Sequence, residues 1–296
     1  LTEDKKPTFA VETSKREHAE AYDEASDIYD TYEGLFFPYL FGRIHGLLRD
    51  RFMPLLPEDA RVLDIGCGTG QQTMLFKNRG FDIIGIDISA GLVKVANKKI
   101  GEGICLVSDA CFDAVTSAGS TLNHIPDYAC FFEEAGRVLK PGGYIFLESD
   151  NKWKPDILWS MASTLVGDPL KYHETFRDVV NYVERPFHEG FPYVFPLIYD
   201  GSKVKLLRLR TFTIHELQAE LKNAECEVVA AYGAHSITNL IPSTVMLKDH
   251  PGRLTRSVFS IMSAIEDRAY DKWPINRMGM SIMVIAKKRT IRQVSE

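Results

Sequence analysis

Short apolar runs recur along the chain, each bounded by glycine, proline or polar residues. Those at 61–65, 82–89, 104–110, 112–117, 144–148, 226–232 and 279–287 have the length and β-branched content of buried strands. Longer segments at 18–52, from Gln71 onward, at 128–138 and at 257–273 carry helical patterning instead. A further pair, 193–199 and 203–210, joined by Asp200-Gly201-Ser202, predicts a β-hairpin. Strands interleaved with helices predict an α/β architecture built on a parallel sheet.

The sharpest local signal lies where the first strand ends. Gly66, Gly68 and Gly70 follow Ile65 at spacing two, and Gln71-Gln72-Thr73-Met74-Leu75-Phe76 then starts a helix. Glycine is needed where the chain turns with positive φ or where backbone must approach a ligand closely. Strand, glycine turn and helix N-terminus in series make a cradle for a nucleotide-like ligand. Dinucleotide enzymes use G-x-G-x-x-G. This chain has G-x-G-x-G instead, with Asp64 two residues before the first glycine. The second strand reaches an acid at Asp87, 21 residues beyond Gly66, where a carboxylate can accept both ribose hydroxyls.

The Asp-x-Gly-x-Gly-x-Gly run with Asp87 after it resembles motif I of class I S-adenosylmethionine-dependent methyltransferases. Asp109-Ala110 and the Leu139-Lys140-Pro141-Gly142-Gly143 turn after a helix continue the resemblance, which covers about 61–150 and resumes over about 212–288. It implies a Rossmann-like, seven-stranded, mostly parallel sheet with helices on both faces. It also implies a helical arm or lid over 1–55, a cofactor-binding core at 56–151 and 211–288, and insertions at 152–210 and 234–277. Those insertions, after the fifth and sixth strands, would cover the substrate, and the layout is similar to ubiquinone/menaquinone-type and small-molecule methyltransferases. The implied cofactor is S-adenosylmethionine, with S-adenosylhomocysteine as product. Its implied contacts are Asp64, Gly66, Cys67, Gly68, Gly70, Asp87, Ile88, Asp109, Ala110 and Ser117, with Tyr22 and Tyr29 from the arm. One departure stands out: a parallel crossover takes about a dozen residues, yet Ala110 runs straight into Cys111. The favoured reading is that a loop belongs between them and is missing from the chain as written, which begins at Leu1 rather than Met.

Composition narrows the class without deciding it. The apolar fraction of 45% and charged fraction of 25% are those of an ordinary globular protein. The net charge of −5 resides in residues 1–30, so the remainder balances to zero. Nucleic acid is therefore not an expected partner. The five cysteines show neither paired spacing nor metal-ligand clustering, so no metal site is expected and a reducing cytoplasm is the expected compartment. No run is long enough to span a membrane. Lys203, Lys205, Arg208 and Arg210 on one hairpin strand allow peripheral contact with headgroups or an anionic substrate, although charge on an edge strand also guards against aggregation. Nothing in the pattern reports oligomeric state.

Methyl transfer from a sulfonium is an in-line displacement that asks mainly for positioning and exclusion of water. His124, in the polar cluster after the strand at 112–117, is the leading base or orienting residue; packing beside the cofactor is its plainer role. Asp150 at the end of the 144–148 strand is a second candidate, and His173, His188 and His235 lie in the insertions. The aromatic-rich insertions point to a small or medium-sized, apolar or aromatic acceptor. An RNA or protein methyltransferase and a cofactor-binding protein without turnover are the competing readings.

Overall fold

Alternate residues of the central strands fill opposite faces of one sheet, and this decides where everything else packs. The computed structural model describes residues 11–31, 34–100, 109–172, 186–199 and 203–290, with Arg177, Val180, Tyr182 and Glu184. Along the chain come α1 (Val11–Ala25), α2 (Phe36–Leu47), β1 (Arg61–Ile65), α3 (Gln71–Lys77), β2 (Asp82–Ile86), α4 (Ala90–Ile100), β3 (Phe112–Ser117), α5 (Tyr128–Val138) and β4 (Leu139–Asp150). Then follow α6 (Asp156–Leu165), β5 (Pro192–Tyr199), β6 (Lys203–Arg210), α7 (Ile214–Asn223), β7 (Cys226–Ala234), α8 (Ser243–Met246), α9 (Arg253–Glu266) and β8 (Ser281–Lys288).

Six strands form the sheet in the order β2-β1-β3-β4-β8-β7; β5 and β6 pair separately as an antiparallel hairpin. The first four strands are parallel, whereas β8 runs antiparallel to β4 and β7. This is the Rossmann-like, mostly parallel arrangement the pattern predicts. The seventh strand expected at 104–110 lies, apart from Asp109 and Ala110, outside the described residues. Those two make a turn straight into β3, with Ala110 at φ 47° and the Ala110 and Cys111 amides donating to the carbonyls of Arg137 and Val138.

Phe146, Met283 and Ile285 face one layer with Leu40, Ile44, Leu47, Phe52 and Phe76. Their neighbours Ile145, Leu147, Ile282 and Val284 face the other, with Leu122, Phe132, Leu217 and Leu221. The Lys140-Pro141-Gly142-Gly143 turn bulges out of β4, since Phe112 pairs with Leu139 but Ala114 pairs with Tyr144. A Cβ on Gly143 would lie 2.8 Å from the Asp113 carbonyl, so the bulge needs glycine there.

Two helical expectations are corrected. The segment 18–52 is not one helix: it breaks between Ala25 and Phe36 and ends in a π-helical turn, Leu48–Phe52. Gly34 at φ 83° sits where a Cβ would meet the Lys248 carbonyl at 2.9 Å, and the Leu35 amide donates to Met246. Contact with the 246–248 segment therefore overrides local helix propensity. The helix expected at 257–273 starts earlier, at Arg253, and ends at Glu266. Beyond it the Tyr270 carbonyl accepts from the Gly233 amide, tying the chain to β7. Among the described residues no helix is long and apolar enough to cross a membrane.

Candidate functional site

Backbone conformation builds the first wall of the site. The amides of Gly66 and Cys67 donate to the Ile86 carbonyl at 2.8 and 3.0 Å, locking the turn after β1 to the end of β2. Gly66 has φ 75°, and a Cβ there would sit 2.2 Å from the Thr121 side chain. Gly68, at φ 54°, is different: the nearest atom to a Cβ would be a Tyr29 ring carbon at 3.7 Å, so its face is open for a ligand. Gly70, at φ 83°, stands at the start of α3 and donates to the Cys67 carbonyl at 2.8 Å.

Two carboxylates frame this turn. Asp64 is buried beneath it and accepts from Thr73 Oγ1 at 2.6 Å, which joins β1 to α3. Burial pushes its carboxyl up to about 7. Asp87 accepts from the amides of Gly68 and Ser89, each at 2.9 Å, and faces the cavity. Its carboxyl is also raised by burial, against the pull of those amides.

A cavity of about 500 Å³ opens over the turn, within the range of about 300–1,000 Å³ usual for small-molecule sites. Gly66, Cys67, Gly68, Asp87, Ile88 and Leu92 line it, together with His18, Tyr22, Phe41, His124, Ile125 and Pro126. Helix α1 supplies His18 and Tyr22, and hydrogen bonds fasten it down. Asp23 accepts from Ser89 Oγ at 2.6 Å and from the Gly91 amide at 2.7 Å. Beyond the helix, Asp30 accepts from Thr69, Gln71 and Lys99.

Within the lining, Tyr22 OH and His124 Nε2 share a hydrogen bond at 3.0 Å, and the His18 ring meets His124 edge-on at 5.1 Å. Burial, with His18 alongside, pushes the His124 imidazole down to about 3, so it is neutral near pH 7. Its Nδ1 is buried and has no hydrogen-bond partner among the described residues. Tyr22 packs edge-on against Tyr29, and burial holds its hydroxyl in the protonated form.

Of the residues expected here, the structure brings Gly66, Cys67, Gly68, Asp87, Ile88, Tyr22, Tyr29 and His124 to one cavity. Asp64 and Gly70 support it from below. Ser117 ends β3 fully buried, while its neighbours Ala118 and Gly119 reach the lining. Asp109 and Ala110 do not line the cavity: they precede β3, at the opposite end of that strand, where Asp109 pairs with Arg137. Asp150 is set back from it, accepting from Ser120 Oγ at 2.9 Å and from the Tyr193 hydroxyl. Beside it Glu148 is buried, accepts from the Ser120 amide and the Ser281 hydroxyl, and is pushed up to about 7 by burial and by Asp150.

The other histidines lie elsewhere. His235 is fully buried between Thr238 Oγ1 and the Phe36 carbonyl, and its ring stacks on Phe36. His188 is exposed and meets His215 edge-on; His173 lies outside the described residues. Arg210 is engaged by Glu216 and stands over the Tyr128 ring, so it is not part of an open basic strand. Sequence reading missed His18, Phe41, Thr121 and Glu148. His18 was within reach, because it stands four residues before Tyr22 and so shares its helix face.

The arrangement fits S-adenosylmethionine, the cofactor implied by the motif: an open glycine face, a carboxylate just beyond the end of β2 and apolar side chains at Ile88 and Leu92. Residues 63–147 match a family model described as a methyltransferase domain. An uncharacterized protein of Methanocaldococcus jannaschii is 30% identical over 185 residues, which is 60% of this chain and 65% of that protein. A ubiquinone biosynthesis O-methyltransferase of Paracidovorax citrulli is 32% identical over 129 residues, 39% of this chain and 51% of that protein. The chain thus spans about half to two thirds of the length of these curated relatives. The 1,6-didemethyltoxoflavin-N1-methyltransferase of Burkholderia thailandensis, solved with 1,6-didemethyltoxoflavin and S-adenosylhomocysteine, is similar in fold. The TM-score is 0.52 at 14% identity, over 96% of this chain and 93% of that one.

Proposed function

We propose, because the chain belongs to the class I S-adenosylmethionine-dependent methyltransferases, that it transfers a methyl group to a small or medium-sized, uncharged acceptor of apolar or aromatic character. One observation carries this reading: the cavity lining is mostly apolar and nearly free of acidic and basic side chains. Asp87 is the one carboxylate among the described lining residues, and neither Lys nor Arg is among them. The same lining offers Phe41, Ile125 and Pro126 with a neutral imidazole at His124 and a neutral phenol at Tyr22. An ionic acceptor would lose its hydration there without gaining a partner.

When bound, S-adenosylmethionine supplies an electrophilic methyl group. Asp87 and the backbone around Gly68 would hold it, with Ile88 and Leu92 beside it and Tyr22 and Tyr29 over it. The chain's own contribution is then orientation and exclusion of water, the factors that dominate an in-line displacement. His124 Nδ1 supports acceptor orientation, since it is a buried polar atom without a hydrogen-bond partner among the described residues. The test is methyl incorporation from labelled S-adenosylmethionine into lipophilic phenols and quinols, with RNA and protein offered in parallel. The expected product extracts into organic solvent. Label confined to RNA or protein would contradict the reading.

A further inference from the structure

Helix α9 carries an apolar row that the fold leaves uncovered. Leu254, Val258, Ile261 and Ile265 recur at intervals of four, three and four, so they share one face of the helix. All four are exposed, Leu254 at 78%, whereas the inward face is made by Phe259 and Glu266. Just beyond the helix Trp273 is 77% exposed.

The charge around this row is one-sided. Arg253 and Arg268 lie beside the two ends of the row in sequence, with Lys248, Lys272 and Arg277 in the adjoining segments, in a chain whose overall charge is −5. The acids of the same stretch are mostly spoken for. Glu266 is buried and accepts from the amides of Ile237 and Thr238. Asp267 binds Arg43, and Asp271 lies 4.0 Å from Arg51. Asp249 alone remains against five bases.

We propose that α9 and Trp273 form a docking surface for an anionic lipid bilayer. The apolar row enters the acyl boundary, the arginines and lysines meet the headgroups, and Trp273 sits at the interface between them. Charge decides against a second copy of the chain as occupant. A two-fold contact through this row would set the same bases against their own copies. The surface also neighbours the site: Tyr39 of α2 meets Phe259 of α9 at 5.5 Å, and α2 carries Phe41 into the cavity. The inference concerns attachment and does not depend on which acceptor is methylated.

Co-sedimentation of the whole chain with phosphatidylcholine vesicles, and with vesicles that also contain phosphatidylglycerol, tests it. Binding is expected to the anionic vesicles and to weaken as salt is raised. Leu254→Ser with Ile261→Ser should abolish it while the melting temperature stays unchanged. Arg253→Gln with Arg268→Gln should weaken it by about fivefold for each charge removed. No sedimentation with either vesicle, or binding that neither variant alters, would overturn the proposal. A concentration-dependent dimer lost in the leucine–isoleucine variant would also overturn it, assigning the face to a second copy.

Discussion

Asp64 and Asp87 sit at the ends of neighbouring strands, yet burial gives them different work. Asp64 is sealed beneath the glycine turn with its carboxyl raised to about 7, so the folded state retains a proton that the unfolded chain releases near 4. Its stabilising contribution is full below about 4 and is lost as pH rises through about 7. The melting temperature should therefore fall between pH 5 and pH 8, and Asp64→Asn, which keeps an acceptor for Thr73, should flatten that fall. An unchanged slope in the variant would remove Asp64 as its source. Asp87 faces the cavity, and Asp87→Ala should weaken S-adenosylhomocysteine binding by about 1–3 kcal/mol, the range for charge-assisted hydrogen bonds. Calorimetry with unaltered affinity would reject the ribose assignment. His124→Ala should lower turnover by tenfold or more while leaving that affinity within twofold, a split that steady-state kinetics beside calorimetry would expose.

At the scale of elements, the glycine turn and α1 make separable predictions. A methyl group at Gly66 collides with Thr121, whereas one at Gly68 meets open space and strains only the backbone. Gly66→Ala should therefore lose about 2–3 kcal/mol of stability in urea titration, against about 1 kcal/mol for Gly68→Ala. Equal losses would mean that the turn is not packed as described. Helix α1 closes the cavity from above and is fastened to the sheet side through Asp23. Asp23→Ala removes two hydrogen bonds to a charged group without touching the core. It should speed S-adenosylhomocysteine dissociation about tenfold and lower amide protection in α1. Protection lost throughout the sheet as well would show instead that α1 is structural.

For the molecule as a whole, what could be read from the sequence was whatever depends on local periodicity. The strands at β1, β2, β3 and β4, the helix Tyr128–Val138 and the hairpin follow from short apolar runs and turn residues. The glycine turn and Asp87 were legible because their chemistry is fixed by spacing. Long-range contact was not. Nothing local shows that Gly34 must pass beside the Lys248 carbonyl, that His235 is sealed against Phe36, or that Asp109 pairs with Arg137 away from the cavity. The pairing around His124 was half legible: His124 and Tyr22 were singled out, but their hydrogen bond joins residues 102 positions apart. The central claim is that the cavity over the glycine turn holds a sulfonium nucleoside. Calorimetric titration of the chain with S-adenosylmethionine, S-adenosylhomocysteine and NAD tests it most directly. Binding of the two sulfur nucleosides, weakened in Asp87→Ala and absent for NAD, is the predicted result; binding of NAD alone would contradict it.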